Sequence, residues 1–223
     1  MKVTEIFLSI DGEGKRTGLP TIFIRLHGCN LRCSYCDTAY SYDNEKYDNM
    51  SVEEIVQVCN RYGTNSVTLT GGEPLIHDGV LELIGRLLRE GYWVNVETNG
   101  TVDVDKIRSA VDGGRECGIS QLFFTIDYKC PFSKMEDKMD KSVFGKLRRE
   151  DVLKFVVADE KDMVRAMEVL DNVHTSAEVY FSPVFGNIHP AAIVKFILEH
   201  KLWKVKVQMQ LHKIIWDANK RGV

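Results

Sequence analysis

The sequence predicts an α/β fold, a partial and open (β/α) barrel of the TIM type, from two observations. Stretches rich in strand-forming residues alternate along the chain with stretches of helical period, the pattern of right-handed βαβ units around a parallel sheet. About seven strands can be placed in the 223 residues, too few for a closed eightfold barrel, which takes about 250 residues.

Each element has its own warrant. Residues 21–27 (TIFIRLH) read as the first long strand. Residues 51–62 read as a helix: Ser51 is an N-cap with Glu54 three positions on, and Ile55, Val58, Cys59 and Tyr62 share a face. Residues 66–70 form the next strand. Residues 79–90 form a helix with Leu81, Ile84 and Leu88 on one side and Gly91 as its stop. A strand at 93–97 and a helix at 104–111 follow, then strands at 122–126 and 152–157. Between those two strands, residues 127–151 are rich in Lys, Asp and Met without a clear period, and read as an irregular insertion. Met163, Ala166, Met167 and Leu170 mark a further helix, followed by a strand at 178–181, a helix at 191–200 and a last strand at 204–209. No repeat or linker interrupts the series, so a single domain over residues 1–223 is expected.

Composition narrows the function classes. The chain is 44% hydrophobic and 27% charged with a net charge of −3, ordinary for a soluble globular protein. No basic face for nucleic acid and no membrane patch is indicated. Residues 1–6 lack the apolar core of a signal peptide, and no apolar run approaches a membrane span. A cytoplasmic protein without nucleic-acid or membrane partners is expected.

A parallel sheet places functional loops at the C-terminal ends of its strands. Four polar or glycine-rich loops fall there: the cysteine-rich segment after 21–27, Gly71-Gly72-Glu73-Pro74, Thr98-Asn99-Gly100, and Asp127-Tyr128-Lys129. They would converge on one rim. Of six cysteines, Cys29, Cys33 and Cys36 crowd together with spacing C-x3-C-x2-C, while Cys59, Cys117 and Cys130 are scattered and take no role. Three thiolates on a short loop suit three irons of a 4Fe-4S cluster and leave the fourth iron open to a chelating molecule. The alternative is a Cys3His zinc site using His27, although this spacing departs from paired zinc knuckles.

With Tyr35 before the last cysteine, the motif resembles the signature of the radical S-adenosylmethionine (SAM) superfamily. The resemblance implies that SAM chelates the open iron and is cleaved to an adenosyl radical. It also implies that Tyr35, Cys36 and Asp37 line the SAM site and that Gly72 and Glu73, in the G-G-E-P motif, position the SAM amino group. The Asp127, Tyr128 and Lys129 loop would complete that site.

Other segments resemble one branch of the superfamily, the 7-carboxy-7-deazaguanine synthases of queuosine biosynthesis. The matching stretches are I-x-G-E-G, R-x-x-G-C-N, Y-C-D-T, T-G-G-E-P, E-T-N-G-T, D-Y-K-x-P and Q-L-H-K…W…K-R-G-V, from residue 9 to 223. The branch is implied to contract the ring of 6-carboxy-5,6,7,8-tetrahydropterin with loss of ammonia, regenerating SAM and using Mg2+ at Thr38. Substrate contacts carried over by resemblance are Ile10, Asp11, Gly12, Glu13, Arg25, Thr70, Glu97, His212 and Val223, with Asn99 on the same rim. Arg25 also has a physical reading: a charge in an apolar strand calls for a partner or an anionic ligand, either an ion pair or a substrate carboxylate. One departure stands out, since the branch commonly has Gln where this chain has Asp11. A homodimer and a flavodoxin- or ferredoxin-type electron donor are implied. The competing reading is an activase that installs a glycyl radical on a protein, which would need neither the Gly12-Glu13-Gly14 turn nor the C-terminal Q-x-H-K segment.

Overall fold

The computed structural model describes residues 1–43, 46–112 and 119–223. Its strands are β1 (Lys2–Ile10), β2 (Pro20–Leu26), β3 (Asp48–Asn49), β4 (Ser66–Gly71), β5 (Trp93–Thr98), β6 (Leu122–Tyr128), β7 (Val152–Val157), β8 (Glu178–Pro183) and β9 (Val205–Val207). They form one sheet in the order β3-β1-β2-β4-β5-β6-β7-β8-β9. Neighbours from β2 to β9 are parallel, whereas β1 runs antiparallel to β2 and β3. The end strands β3 and β9 do not pair, so the barrel is open, as expected.

The helices are α1 (Val52–Asn60), α2 (Val80–Arg89), α3 (Val104–Asp112), α4 (Lys141–Phe144), α5 (Glu160–Asn172), α6 (Pro190–Glu199) and α7 (His212–Ile215). Ser51 caps α1 as read, with its side chain and that of Glu54 forming a reciprocal capping box. The crossovers lay α1, α2, α5 and α6 against the sheet, where Ile24, Leu69, Val96, Phe124, Phe155 and Phe181 are fully buried. Each such side chain stabilises the fold by about 1.5–3 kcal/mol on leaving water.

Two expectations are corrected. The sheet has nine strands rather than about seven. The additions are β3, two residues long, and β1, whose half-buried mix of charged and apolar residues lacks the apolar run that marks the central strands. The insertion is also less irregular than expected. β6 continues to Tyr128, and short 3-10 turns at Pro131–Ser133 and Glu136–Lys138 precede α4. Arg165 on α5 and the Tyr128 hydroxyl both hold Glu136, fastening this connection to the helix layer.

Candidate active site

Side chains alternate across a strand, so the residue beside each core position faces the other way. Arg25 follows Ile24, Thr70 follows Leu69, Glu97 follows Val96, Asp127 follows Ile126, and Lys154 precedes Phe155. These five polar residues border one cavity of about 430 Å³ on the inner face of the sheet. The cysteine loop, the 10–13 turn, the 210–213 segment and residues 218–223 complete its wall.

At one end lie Cys29, Cys33 and Cys36. All three are free and partly exposed. Burial pushes the Cys29 and Cys33 thiols up, so a bound cation is needed to hold them as thiolates. The amide of Leu31 lies 3.4 Å from the Cys29 sulfur and Asn99 Nδ2 lies 3.9 Å from it. Donors around ligating sulfurs are among the groups that tune an iron–sulfur centre. His27 takes no part: its ring lies against Tyr47 and its Nδ1 is 3.4 Å from the Thr4 hydroxyl. That removes the fourth ligand from the zinc reading. The thiol set fits a cluster with one iron left open.

Glycines let the neighbouring loops close on this end. A Cβ at Gly72 would stand 2.2 Å from the Gly28 carbonyl oxygen and 2.7 Å from Cys29 Cβ. Tyr35 borders the cavity with its hydroxyl buried and without a partner, and Phe132 stacks on its ring at 6.4 Å. Lys129 Nζ donates to Asp127 Oδ2 at 2.9 Å. Burial opposes the charge of Lys129, but Asp127, Tyr35 and Cys33 together hold its pKa up. An unfilled hydroxyl, a carboxylate and an ammonium beside the thiols suit the polar groups of SAM. Asp37 and Thr38 border the same end, and the Thr38 hydroxyl donates to Asp37 Oδ1 at 2.8 Å. These are oxygen ligands of the kind Mg2+ favours.

The other end is a ring of charge. Lys154 pairs with Glu13 and lies 3.1 Å from Asp127 Oδ1. Burial lifts the Glu97 carboxyl to about 7; Lys154 opposes the rise and Asp11 and Glu13 add to it. Arg25 Nε donates to Glu5 Oε1 at 2.7 Å while bordering the cavity, so the two readings of its charge hold together. His212 packs against the turn so closely that a Cβ at Gly12 would meet its Nδ1 at 2.2 Å. Ile10, Asp11 and Val223 border the same end.

Two expected site residues stand off the wall. Glu73 is fully buried, and its carboxylate accepts from the Leu75 amide (3.0 Å), the Thr98 hydroxyl (2.8 Å) and the Asn99 amide (2.7 Å). It joins two rim loops. The Tyr128 side chain points to the opposite face of β6 from its neighbours, with its ring against Phe144 and Phe155 and its hydroxyl donating to Glu136 at 2.8 Å. Conversely, Lys154, Tyr40, Gln210 and Lys213 border the cavity without having been singled out. Lys154 was legible: it is the one charge in the apolar run VLKFVV. Cys59 and Cys130 are fully buried in the core, and Cys117 lies outside the described residues.

Comparison with known proteins identifies the family. A family model described as the Radical SAM superfamily matches residues 23–128. The 7-carboxy-7-deazaguanine synthase of Clostridium acetobutylicum is 44% identical, covering 100% of this chain and 99% of its own. That of Methanospirillum hungatei is 39% identical, covering 96% and 85%. QueE from Escherichia coli superposes with a TM-score of 0.73 at 24% identity, over 95% of this chain and 94% of that one. Streptococcus suis SuiB matches with a TM-score of 0.58 at 10% identity, over 84% of this chain and 47% of its own. These two structures speak for the fold alone. On full-length identity, the chain belongs to the 7-carboxy-7-deazaguanine synthase family of radical SAM enzymes.

Proposed function

We propose that the chain converts 6-carboxy-5,6,7,8-tetrahydropterin to 7-carboxy-7-deazaguanine with loss of ammonia, as a single radical SAM domain. The observation that carries this reading is the 44% identity, end to end, to a relative of that name. Cys29, Cys33 and Cys36 would hold a 4Fe-4S cluster, with Tyr35, Asp37, Gly72, Asp127 and Lys129 around SAM. Together these groups, when bound, supply the radical that starts the reaction by taking a hydrogen atom. Thr38 would contribute a hydroxyl to Mg2+.

The remaining residues bind and orient. A pterin presents ring N–H donors on one edge and a carboxylate on the other. The Asp11, Glu13 and Glu97 carboxyls suit the donors, and Arg25 suits the carboxylate, its charge already balanced on the far side by Glu5. Thr70 and His212 flank that ring, and burial lowers the His212 pKa so that a neutral imidazole faces the pocket. Lys154 pairs with Glu13 and with Asp127 between the two ends. The Val223 carboxylate would add one further acceptor. The enzyme would take its electrons from a flavodoxin or ferredoxin in the cytoplasm and act as a homodimer. The unpaired edge of β9 supports association, and among the described residues no helix is long and apolar enough to cross a membrane.

The test is anaerobic reconstitution with iron and sulfide, then incubation with SAM, dithionite, Mg2+ and the pterin. Mass spectrometry should find 7-carboxy-7-deazaguanine with SAM turned over many times. Cleavage of SAM to 5′-deoxyadenosine without a deazapurine would overturn the substrate assignment and favour the glycyl-radical activase.

A further inference from the structure

The turn between β1 and β2 buries a second ion pair that the reaction does not by itself require. Arg16 folds under the sheet, away from the cysteine loop. Its Nη2 donates to the Val67 carbonyl and to Thr68 Oγ1, both at 2.9 Å, and its Nη1 to the Trp93 carbonyl at 3.2 Å. Val67 and Trp93 lie at the N-terminal ends of β4 and β5, and the guanidinium carbon lies 4.9 Å from the Phe123 ring centroid. Its Nε stands 3.3 Å from Asp11 Oδ2, which also accepts from the Thr68 hydroxyl at 3.2 Å.

Asp11 is thus held from one side only. It is 1% exposed and borders the cavity, yet its second oxygen, Oδ1, has no hydrogen-bond partner among the described residues. A buried acceptor left empty is costly, and native proteins rarely keep one without a use. An ionised carboxylate only accepts hydrogen bonds. Burial lifts the Asp11 carboxyl to about 6, and Arg16 with Thr68 pulls it back toward ionisation. Burial works against the charge of Arg16, and Asp11 is the nearest group that offsets it.

We propose that Arg16 is a positioning residue for substrate recognition, fixing the Asp11 carboxylate so that its free oxygen accepts a hydrogen bond from an N–H donor on the substrate's pyrimidine edge. This deepens the pterin reading and rests on it. The consequence is a pocket that demands an N–H donor on the substrate at that point.

The test is steady-state kinetics on the reconstituted enzyme with the pterin and SAM varied separately. Asp11→Asn and Arg16→Met should each raise the KM for the pterin by about tenfold or more, the size of one lost charged hydrogen bond. They should lower kcat less than they raise that KM, and move the KM for SAM by less than about threefold. The double variant should cost much less than the product of the two single effects, because the residues act as one unit. Should Arg16→Met not fold, Arg16→Lys, which keeps the charge but not the fork of donors, should give the same split in weaker form. A pterin KM unchanged in the Asp11 variant, or an Arg16 effect spread equally over both substrates, would overturn the proposal while leaving the synthase reading intact. No turnover of the pterin by the unaltered enzyme would remove both.

Discussion

Burial in the cavity, helped by Asp11 and Glu13 and opposed by Lys154, lifts the Glu97 carboxyl to about 7, above the ordinary carboxylate range. Below that pH it carries a proton; above it, it would accept from substrate N–H groups in the proposed reading. The KM for the pterin should therefore fall by about tenfold between pH 6 and pH 8, following the ionised fraction of one group. Glu97→Gln should keep a high KM throughout and lose the step near pH 7, leaving only the shallower change near pH 6 that Asp11 contributes. A wild-type profile with no step near pH 7 would contradict the assignment. At the other end of the cavity, Cys33→Ala should abolish the brown cluster chromophore after reconstitution and reduce turnover below detection. A coloured and active Cys33→Ala enzyme would mean that the thiol is not a ligand. The three thiols stand out in the sequence by their spacing, and the resemblance to the radical SAM signature is what favours a cluster over zinc. The pairing of Lys154 with Glu13 could not, because the two lie far apart in the chain and meet only when the barrel curls.

The elements show why the fold was legible and its fastenings were not. Apolar runs such as TIFIRL and VLKFVV announce buried parallel strands, and Ser51 with Glu54 announces the start of α1. Nothing in the sequence announces what Asp162 does. Within the first turn of α5, its carboxylate accepts from the Ala158 amide at 2.9 Å and from the Phe132 amide at 3.0 Å. The second bond pins the 131–133 turn, whose Phe132 ring backs Tyr35 and whose Phe132 carbonyl accepts from the Ser34 hydroxyl of the cysteine loop. A residue in the first turn of α5 thereby supports the cysteine-loop end of the cavity. Asp162→Ala leaves two amides without acceptors and should lower stability by about 2–4 kcal/mol, read as the midpoint of urea unfolding. It should also raise the KM for SAM more than that for the pterin. Asp162→Asn, which keeps one carbonyl acceptor, should lose roughly half as much stability. Equal stability in Asp162→Ala and the unaltered protein would refute the pinning role.

At the scale of the whole molecule, an open sheet leaves a gap between β9 and β1 that backbone pairing does not bridge. Polar side chains and one backbone bond outside the strands bridge it instead. Gln208 Oε1 accepts from the Gly14 amide at 2.7 Å and its Nε2 donates to Thr17 Oγ1 at 3.1 Å. Gln210 Nε2 donates to Glu13 Oε1 at 2.8 Å, and the Leu211 amide donates to the Gly12 carbonyl at 3.0 Å. Lys213 reaches further, to Asp37 on the cysteine loop. The Q-x-Q-L-H-K run is therefore the clasp that shuts the barrel over its own active site, and His212 faces the cavity because its neighbours are engaged in closing. A substitution here should act on shape and on binding together. Gln208→Leu, of similar size and 8% exposed in the parent residue, leaves the Gly14 amide unpaired and should cost about 1–3 kcal/mol of stability. Because Gly14 follows the Asp11–Glu13 turn, the same change should raise the KM for the pterin, whereas the KM for SAM should hold, since the cysteine loop keeps its separate tie through Lys213. Native-state hydrogen exchange would locate the effect: faster exchange confined to 11–18 and 208–213 supports a clasp, and faster exchange spread over the central strands would show that Gln208 instead supports the fold as a whole.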